Sequence, residues 1–454
     1  MALFTGHTIT PDSALGGIQI EKSLRFEEDD TTYLEASPTF NTKKYTFSFW
    51  IKPVKKGGGA ILSYNMVGNN RQSFSYGDYE GHFANQLRVG GSTKSQYATT
   101  AAHRDFSSWY HVVYRWDTDN GTQDDRFIVY VNGVRREMTQ YTGTVSGQTG
   151  YIGDGNTINI GKSTDGYSKA RFYLADFHLI DGQAYDASYF GYTDAQTGQW
   201  RPKEYTGSYG SGGFHLEFKD TSNLGKDTSG NANNWTANNF SVAAGENNDS
   251  LLDTPTNNFA TFSSLVKSAN TITQGGLKVT CSSSTDACFF STLGVSSGKY
   301  YMEFLVKSTS NYVIGVSGTQ VNSDYFSNGN QVGFWLGSSF TRVFKNASNI
   351  TSNSEVVGNF ESGVEGSNTA WSVDDIAGLA LDMDKEIIYL YKGSTQVGYV
   401  DLSGYQYKKV FFGGGNYISG QVYVGNFGQR PFAHTPPTGY RSLCSKNLAT
   451  PSPA

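Results

Sequence analysis

The densest group of candidate oxygen ligands in the sequence lies in a polar loop, residues 118–125, between two hydrophobic runs. Carboxylate and amide oxygens are the ligands that Ca²⁺ prefers in proteins. Asp and Asn are also the residues that ordinary hairpin loops use to make turns. The loop therefore predicts either a calcium site or a polar turn, and the candidate ligands are Asp119, Asp124 and Asp125. An alternative loop with the same chemistry contains Asp154 and Asn156.

Carboxylates spaced for acid–base catalysis are missing from the predicted strands. A retaining glycosidase needs two carboxyl groups about 5 Å apart, and strand residues share a face only at every second position. The acidic run Glu27-Glu28-Asp29-Asp30 alternates between faces, so we interpret it as a solvated edge. No Gly-x-Ser-x-Gly motif opens a predicted helix, and the Gly-rich stretch 207–213 lacks a P-loop lysine. We therefore expect no enzymatic activity.

Histidine and cysteine form no local metal-binding motif. The seven histidines, at positions 7, 82, 103, 111, 178, 215 and 434, include no pair with the spacing of zinc ligands. His111 and His178 lie within predicted strands, where we expect them to be packed or hydrogen-bonded. Three cysteines are too few for a disulfide framework. Cys281 and Cys288 could pair across a hairpin or remain buried thiols, and an odd count leaves Cys444 free if they pair.

Tyrosines in predicted loops are the remaining candidates for ligand binding. A tyrosine ring is a rigid amphipathic surface that stacks on sugars or on partner proteins. The alternative is that these rings only cover their own loops. The loop tyrosines are Tyr64, Tyr76, Tyr79, Tyr97, Tyr167, Tyr185, Tyr189 and Tyr192, and the candidate ligand-binding residues among them are Tyr76, Tyr79, Tyr167 and Tyr185.

The two runs that flank the acidic loop predict a pair of antiparallel strands, over residues 109–117 and 126–134. In the second run, Phe127, Val129 and Val131 share one face, which is the period-two pattern of a half-buried strand. Asn132-Gly133 then supplies the two positive-φ positions of a tight hairpin turn.

Composition favours an all-β protein. The chain has 454 residues, with 37% hydrophobic and 15% aromatic residues, and its apolar residues never form a sustained stripe with a 3.6-residue period. Its net charge is −5 and its Lys and Arg residues are scattered, so we expect no nucleic-acid partner. The N-terminus lacks the features of a signal peptide, and no apolar run approaches the roughly 20 residues of a membrane span. We therefore expect synthesis in a cytosol and no membrane insertion.

Five motifs in the first half, in order, carry a family resemblance: "YTFSFWIKP", "WYHVVYRWD", "RFIVYVNGV", "INIGKS" and "ARFYLADFHLIDGQAY". Together they resemble a concanavalin A-like sandwich of the LamG and pentraxin kind, over residues 21–218. The resemblance implies two antiparallel sheets, and calcium at the loop rims of some members. Residues 1–20 are interpreted as an N-terminal arm.

The second half carries another resemblance. The motifs "GKYYMEF", "VIGVSG", "IAGLALDMD", "IIYLYKG" and "VYVGNFGQRPF" resemble an SPRY domain over residues 265–434, which is also a two-sheet sandwich. Residues 219–264 are interpreted as an extended connector, pinned to the first domain by Trp235, Phe240 and Phe259, and residues 435–454 as a tail. Residues 248–262 resemble a segment found in structural proteins of marine tailed phages.

These observations predict two tandem concanavalin A-like β-sandwiches of jelly-roll type without enzymatic activity. The predicted function is that of a virion structural protein, a tail or capsid appendage that binds glycans or neighbouring virion proteins during host attachment. By analogy with symmetric virion sites, we expect a homo-oligomer. The alternatives are a glycan-cleaving hydrolase with an unrecognised site and a secreted bacterial adhesin. The predicted need for cofactors is none, or calcium at the acidic loop.

Overall fold

The computed structural model contains strands, short 3-10 turns and loops, with no α-helix among the residues that it describes. These residues are 17–27, 31–54, 57, 59–65, 68–77, 81–163, 171–265, 270–282, 288–310, 312–320, 331–345, 348–349, 364–365, 369–403, 408–415 and 418–448. The chain divides into two compact units. The N-terminal unit contains Thr10–Ala243 and Asn247–Asn258, and the C-terminal unit contains Ala244–Glu246 and Phe259–Ala454. The all-β prediction is confirmed.

The N-terminal unit contains eighteen strands among its described residues. They are β1 Ser23–Phe26, β2 Tyr33–Ala36, β3 Lys44–Pro53, β4 Gly59–Tyr64, β5 Arg71–Tyr76, β6 Phe83–Val89, β7 Ser92–Thr99, β8 Tyr110–Asp117, β9 Phe127–Val131, β10 Val134–Arg135, β11 Met138–Thr142, β12 Ile158–Ile160, β13 Phe172–Asp181, β14 Gly191–Thr193, β15 Trp200–Pro202, β16 Phe214–Leu216, β17 Thr236–Asn238 and β18 Ser250–Leu251. Two 3-10 turns, Gln123–Asp125 and Ala187–Tyr189, lie between them.

Two large antiparallel sheets and a two-stranded sheet, β14-β15, form this unit among its described residues. The first has the order β10-β9-β8-β3-β13-β1-β18, with β16 also paired to β13, and the second has the order β11-β7-β6-β5-β4-β12-β2-β17. Strand β3 explains how the core forms, because its alternation sends Tyr45, Phe47, Phe49 and Ile51 into the main hydrophobic cluster. The same alternation places Trp50 on the outer face, in a second cluster.

The predicted hairpin is confirmed. Strands β8 and β9 pair in antiparallel fashion, and β9 turns into β10 through Asn132 and Gly133, whose φ angles are 49° and 78°. A Cβ atom at Gly133 would lie 2.3 Å from the Trp200 ring. Glycine is therefore required there both by the turn and by the indole that packs against it.

The outer face of the first sheet is covered by the chain that follows β13. One apolar cluster on this face contains Trp50, Trp109, Tyr173 and Leu251. A second contains Val113, Ile180, Ala187, Phe190 and Tyr205, and Trp200 packs against both clusters. The first sheet thus buries both of its faces along β3 and β13.

Two buried ion pairs join this covered face to residues 248–258. The Lys52 ammonium lies 2.7 Å from an Asp253 carboxylate oxygen, and both side chains are fully buried. It also donates to Asn258 Oδ1 at 2.7 Å, while Trp109 Nε1 donates to the other Asp253 oxygen at 3.0 Å. Burial lowers the pKa of Lys52, and Asp253 opposes that shift. The lysine is held in the sheet only because an acid from the distant segment neutralises it.

Arg25 of β1 makes the second pair, with Asp249 at 2.9 Å. Although burial alone would lower it, the carboxylates of Glu27 and Asp249 raise the pKa of Arg25. Glu27 is itself only 4% exposed, so the interpretation of a solvated acidic edge is wrong for this residue. Glu28, Asp29 and Asp30 lie outside the described residues.

The segment interpreted as a connector is built into the sandwiches. Trp235 is buried in the main N-terminal core, and Phe240 packs edge-on against Phe26, which confirms that these two rings pin the segment. Phe259 belongs to the C-terminal unit instead. Within the predicted arm, residues 1–16 lie outside the described residues, and Ile20 hydrogen-bonds through its backbone N–H and carbonyl to Thr256 Oγ1.

The C-terminal unit contains fifteen strands among its described residues. They are β19 Asn270–Thr273, β20 Lys278–Cys281, β21 Phe289–Val295, β22 Lys299–Val306, β23 Tyr312–Ser317, β24 Gln331–Leu336, β25 Thr341–Lys345, β26 Ser348–Asn349, β27 Val364–Glu365, β28 Ile376–Asp382, β29 Ile387–Lys392, β30 Thr395–Asp401, β31 Val410–Gly415, β32 Val422–Asn426 and β33 Arg441–Ser442. The 3-10 turns Gln274–Gly276 and Ser445–Asn447 accompany them.

These strands form two sheets, with the orders β19-β20-β32-β22-β28-β29-β30-β27 and β21-β31-β23-β24-β25-β26. A hydrophobic core that includes Phe262, Phe304 and Trp371 is shared by strands of both sheets. Strand β33 pairs with β22, so the predicted tail contributes to the sheet. The three cysteines are buried thiols, and burial raises the pKa of Cys281 to about 12. Among the described residues, no helix has the length and apolar character to cross a membrane.

We predict that Asp253→Asn destabilises the N-terminal unit by about 3–5 kcal/mol, because it leaves the Lys52 charge buried without its counter-ion. Hydrogen–deuterium exchange of peptides from β3 and β13 in increasing urea measures this unit specifically. In the double variant Lys52→Met/Asp253→Asn no lone charge remains, and the loss should be smaller than the sum of the single losses.

Asp119→Asn is the matched control, because Asp119 forms an exposed ion pair with Lys43 at 3.2 Å. It should leave the urea midpoint of these peptides unchanged. Equal losses from the two Asp→Asn changes would contradict the prediction, as would additive losses in the double variant.

Candidate functional site

A β-bulge in β13 brings an acid and a histidine to the same side of the first sheet. The register with β3 shifts between Ala175 and His178, and Asp176 has a φ angle of 54°. Bulges re-aim side chains in this way, and Asp tolerates the left-handed conformation better than most residues. Leu174, Phe177 and Leu179 still point into the core.

Strand β16 supplies the second histidine. It pairs with β13 so that His215 lies directly opposite His178, while its neighbours Phe214 and Leu216 enter the core. The two imidazole rings stack, with centroids 4.0 Å apart and an interplanar angle of 11°. The pairing register therefore fixes the two rings relative to each other.

Asp176 receives hydrogen bonds from both histidines. Its Oδ1 lies 2.7 Å from His215 Nε2 and 3.2 Å from His178 Nε2. Although burial alone would raise it, the two histidines hold the pKa of Asp176 well below its usual range. Burial and the neighbouring His215 lower the pKa of His178. The site therefore contains an ionised carboxylate held between two imidazoles.

The outer ring nitrogens also have partners. His178 Nδ1 lies 2.9 Å from the Tyr209 hydroxyl, and His215 Nδ1 lies 3.1 Å from Thr228 Oγ1. The three donor atoms of Asp176, His178 and His215 lie within 4.8 Å of one another. Among the described residues, this is the group of acids, histidines or cysteines with the geometry to hold a metal ion.

A pocket of about 600 Å³ opens onto this cluster. Its wall is partly polar and partly apolar, with Glu217 paired to Lys219 at 3.1 Å and two tyrosine rings in the lining. Such a wall offers hydrogen bonds and flat apolar surfaces to a small ligand. Besides the cluster, the lining includes Lys203, Glu204, Tyr205, Tyr209, Glu217 and Lys219.

Of the four candidate tyrosines, Tyr185 lies near this pocket. It is half-buried and stacks on Tyr189 at 4.0 Å, with Tyr205 of the pocket wall 6.3 Å away. Tyr189 is 44% exposed. The expectation that Tyr76 is an exposed loop residue is wrong: it ends β5, is fully buried, and donates to the His103 carbonyl at 2.5 Å. Tyr79 and Tyr167 lie outside the described residues.

The acidic loop binds cationic side chains of the chain itself. Asp119 pairs with Lys43, and Arg135 pairs with Asp125 at 2.8 Å while also donating to the Asp124 carbonyl at 2.7 Å. The loop thus contains a 3-10 turn, Gln123–Asp125, and its acidic side chains pair with exposed Lys and Arg side chains of the same chain. Calcium at Asp119, Asp124 and Asp125 stays a prediction, and an ion there would have to compete with Arg135.

Sequence reasoning missed the acid–histidine cluster because its residues come from two separate strands. The signal was present: His178 and His215 each lie between a Phe and a Leu, in "FHL" at 177–179 and 214–216. That pattern places each histidine on the face opposite a core pair. The pairing of β13 with β16 and the bulge that adds Asp176 had no local signature.

His111 is packed and hydrogen-bonded, as the sequence predicts. Trp200 Nε1 lies 3.0 Å from His111 Nδ1, and the Ser48 hydroxyl lies 2.9 Å from Nε2. Because an indole N–H can only donate, Nδ1 accepts and Nε2 carries the proton. Burial, reinforced by His178 and opposed by Asp176, lowers the pKa of His111 to about 3. Through its hydrogen bond with Trp200, the neutral His111 ring links β8 to the chain that covers the outer face of the first sheet.

Comparison with known proteins identifies the architecture. Residues 26–188 match the family model described as the Concanavalin A-like lectin/glucanases superfamily. No curated protein matches the sequence. The N-terminal sandwich is therefore concanavalin A-like, as its motifs predict.

Similar solved structures include a pentraxin, an SPRY domain and a pair of laminin domains. A heptameric pentraxin from Limulus polyphemus is 22% identical, covering 37% of this chain and 80% of that one, with a TM-score of 0.28. The SPRY domain of human HERC1 is 14% identical, covering 36% of this chain and 96% of that one, with a TM-score of 0.28. Domains LG4-5 of the mouse laminin α1 chain are 10% identical, covering 94% of this chain and 88% of that one, with a TM-score of 0.32.

We predict that acid destabilises the N-terminal unit partly through His111. Its folded-state pKa of about 3 lies below the unfolded value of 6.5, so the unfolded chain binds the proton first as the pH falls. Stability is then lost progressively from pH 6.5 towards pH 3, by about 1.4 kcal/mol per pH unit, and is constant for this group above pH 6.5. Urea unfolding at pH 8 and pH 5 should differ by about 2 kcal/mol from this source.

The variant His111→Gln tests the assignment, because glutamine can accept from Trp200 and donate to Ser48 but does not titrate. Its deficit relative to the native chain should be largest at pH 8 and should narrow at pH 5. A deficit that is independent of pH would contradict the prediction.

Proposed function

We propose that this protein is a non-enzymatic virion structural protein, a tail or capsid appendage, whose N-terminal sandwich binds glycans during host attachment. The observation that carries the glycan part is the pocket next to the Asp176 cluster. It combines hydrogen-bonding side chains with tyrosine rings, in a domain that matches a lectin and glucanase family. Neighbouring virion proteins are the other class of partner in this proposal.

The chemistry of the pocket fits sugar recognition. Saccharides present hydroxyl groups at their rim and C–H groups on their faces, so their sites need polar side chains and flat rings together. Glu204, Glu217 and Lys203 supply polar groups in the lining. The stacked pair of Tyr185 and Tyr189, adjacent to Tyr205, supplies an aromatic surface close by.

The Asp176 carboxylate of the pocket has the wrong electrostatics for the general acid of glycoside cleavage. A general acid must carry a proton near neutral pH, which requires a raised pKa. Asp176 has a lowered pKa because of its two histidines, and Glu217 is paired with Lys219. This supports binding without hydrolysis. A glycan-cleaving hydrolase is the alternative, favoured by the glucanase part of the family description.

The virion part of the proposal is supported by residues 248–262, which resemble a segment of marine tailed-phage structural proteins. In this chain the segment supplies Asp249 and Asp253, which neutralise Arg25 and Lys52 of the first sheet. A structural requirement of this kind explains why the segment accompanies the sandwich. Symmetric virion positions imply a homo-oligomer, made in the host cytoplasm and carried on the particle.

Glycan-array binding followed by titration of the strongest ligand tests the glycan part. We predict that Glu217→Gln and Tyr189→Ala each weaken this binding by about tenfold or more, equivalent to about 1.4 kcal/mol, by removing a charged acceptor or an aromatic surface. Tyr141→Ala is the matched control, because Tyr141 is 51% exposed on β11 of the other sheet.

No binding to the array, or equal losses in the control, would refute the glycan part. Shortened products after incubation would favour the hydrolase. Repeating the native titration with a calcium-selective chelator tests whether calcium contributes.

Mass spectrometry of purified particles tests the virion part. We predict that peptides of this chain remain with mature particles of the tailed phage that encodes it, after gradient purification and a high-salt wash. Structural subunits are retained because their interfaces bury large surfaces. Recovery of the chain only from the soluble fraction of the lysate would refute the virion assignment.

A further inference from the structure

The donor atoms of Asp176, His178 and His215 are spaced like metal ligands. A tetrahedral Zn²⁺ ion with bonds of 2.0–2.1 Å separates its ligand atoms by about 3.3 Å. Asp176 Oδ1 lies 3.2 Å and 2.7 Å from the two imidazole Nε2 atoms, and all three atoms lie within 4.8 Å of one another. Small adjustments of the side chains would therefore place one ion between them.

The outer ring nitrogens already have the partners that metal-bound histidines use. Histidine ligands almost always donate their other ring N–H to an oxygen, which fixes the orientation of the ring. Tyr209 Oη and Thr228 Oγ1 occupy these positions, at 2.9 and 3.1 Å. Hydroxyl groups both donate and accept, so each can accept an Nδ1–H when Nε2 binds an ion.

The backbone holds the three ligands in advance. His178 and His215 are fixed by the register of β13 with β16, and Asp176 by the bulge at φ 54°. The three side chains are 13%, 5% and 16% exposed, in the order Asp176, His178, His215, so they are sheltered but reachable from the pocket. A site needs both this preorganisation and an entry path.

We propose that Asp176, His178 and His215 bind one divalent transition-metal ion, Zn²⁺ in the first place, at the base of the pocket. Two imidazoles and one carboxylate suit Zn²⁺ and its neighbours, whereas Ca²⁺ and Mg²⁺ require oxygen ligands. Three protein ligands leave a fourth position open towards the pocket, for water or a ligand oxygen. This site is separate from the acidic loop at Asp119, Asp124 and Asp125, and it does not depend on whether the pocket binds glycans.

Titration of the metal alone tests the proposal. The full chain, free of any affinity tag and dialysed against a chelator, is titrated with Zn²⁺ by calorimetry and analysed for bound zinc after gel filtration. The expected result is one ion per chain, with Mg²⁺ and Ca²⁺ unable to compete. Co²⁺ should give the intense visible absorption of a four- or five-coordinate site.

Variants distinguish the residues that bind the ion from residues that do not. Asp176→Asn and His215→Ala should each weaken zinc binding by at least 100-fold, and Asn is suited to the left-handed backbone at position 176. Thr228→Val, which removes the hydroxyl beside His215, should weaken binding by about tenfold. His82→Ala is the matched control, because His82 lies in the same unit outside the cluster and its Nδ1 contacts the Thr99 carbonyl.

Binding that survives in Asp176→Asn or His215→Ala, or that is lost equally in His82→Ala, would overturn the proposal. The absence of zinc binding by the native chain would do the same. Circular dichroism of every variant confirms that it is folded, and because Asn preserves the backbone at 176, the test stands even if His215→Ala does not fold.

Discussion

The buried contact between Lys52 and Asp253 is the constraint on which the N-terminal unit depends. An ammonium group with no exposed surface is tolerated only beside a counter-ion and further acceptors, and here Asp253 and Asn258 provide them. The partners are separated by 201 positions in sequence. The strand that carries Lys52 is therefore complete only when residues 248–258 lie across it. Arg25 and Asp249 repeat this arrangement on β1.

This constraint also explains where the polar cluster lies. The outer face of the first sheet is covered, and β13 presents Tyr173 and Ala175 to one apolar cluster there and Ile180 to the other. His178 falls between these two apolar regions, and the bulge adds Asp176 beside it. A polar group at such a depth requires partners, and His215, Tyr209 and Thr228 supply them. The pocket opens at this polar cluster.

Local patterns in the sequence predict the strands and the hairpin, because period-two alternation and Asn132-Gly133 depend only on neighbouring residues. They also contained a correct signal for Tyr76, which follows Phe74 by two positions and enters the core with it. The acid–histidine cluster depends on pairing between β13 and β16 and on one inserted residue. A shift of one residue in the register moves every side chain of a strand to the opposite face. The residues that make up the cluster could therefore not be predicted without knowing the register. The sequence did not predict that residues 248–258 cover the first sheet, because those contacts also join residues that are far apart in the chain.

The composition of residues 219–264, rich in Asn, Ser, Thr and Gly, favours a connector, yet its acids are structural. Polar residues in a linker face water, whereas Asp249 and Asp253 are 1% and 0% exposed. Burying an acid costs free energy unless a base is buried beside it. The acid at 249 or 253 therefore requires the base at 25 or 52, and the base requires the acid. A sandwich that ended at residue 218 would lack Asp253, the partner of Lys52, and Asp249, the partner of Arg25. The boundary of the folding unit is therefore set by charge neutralisation within the sheet, not by the change in composition.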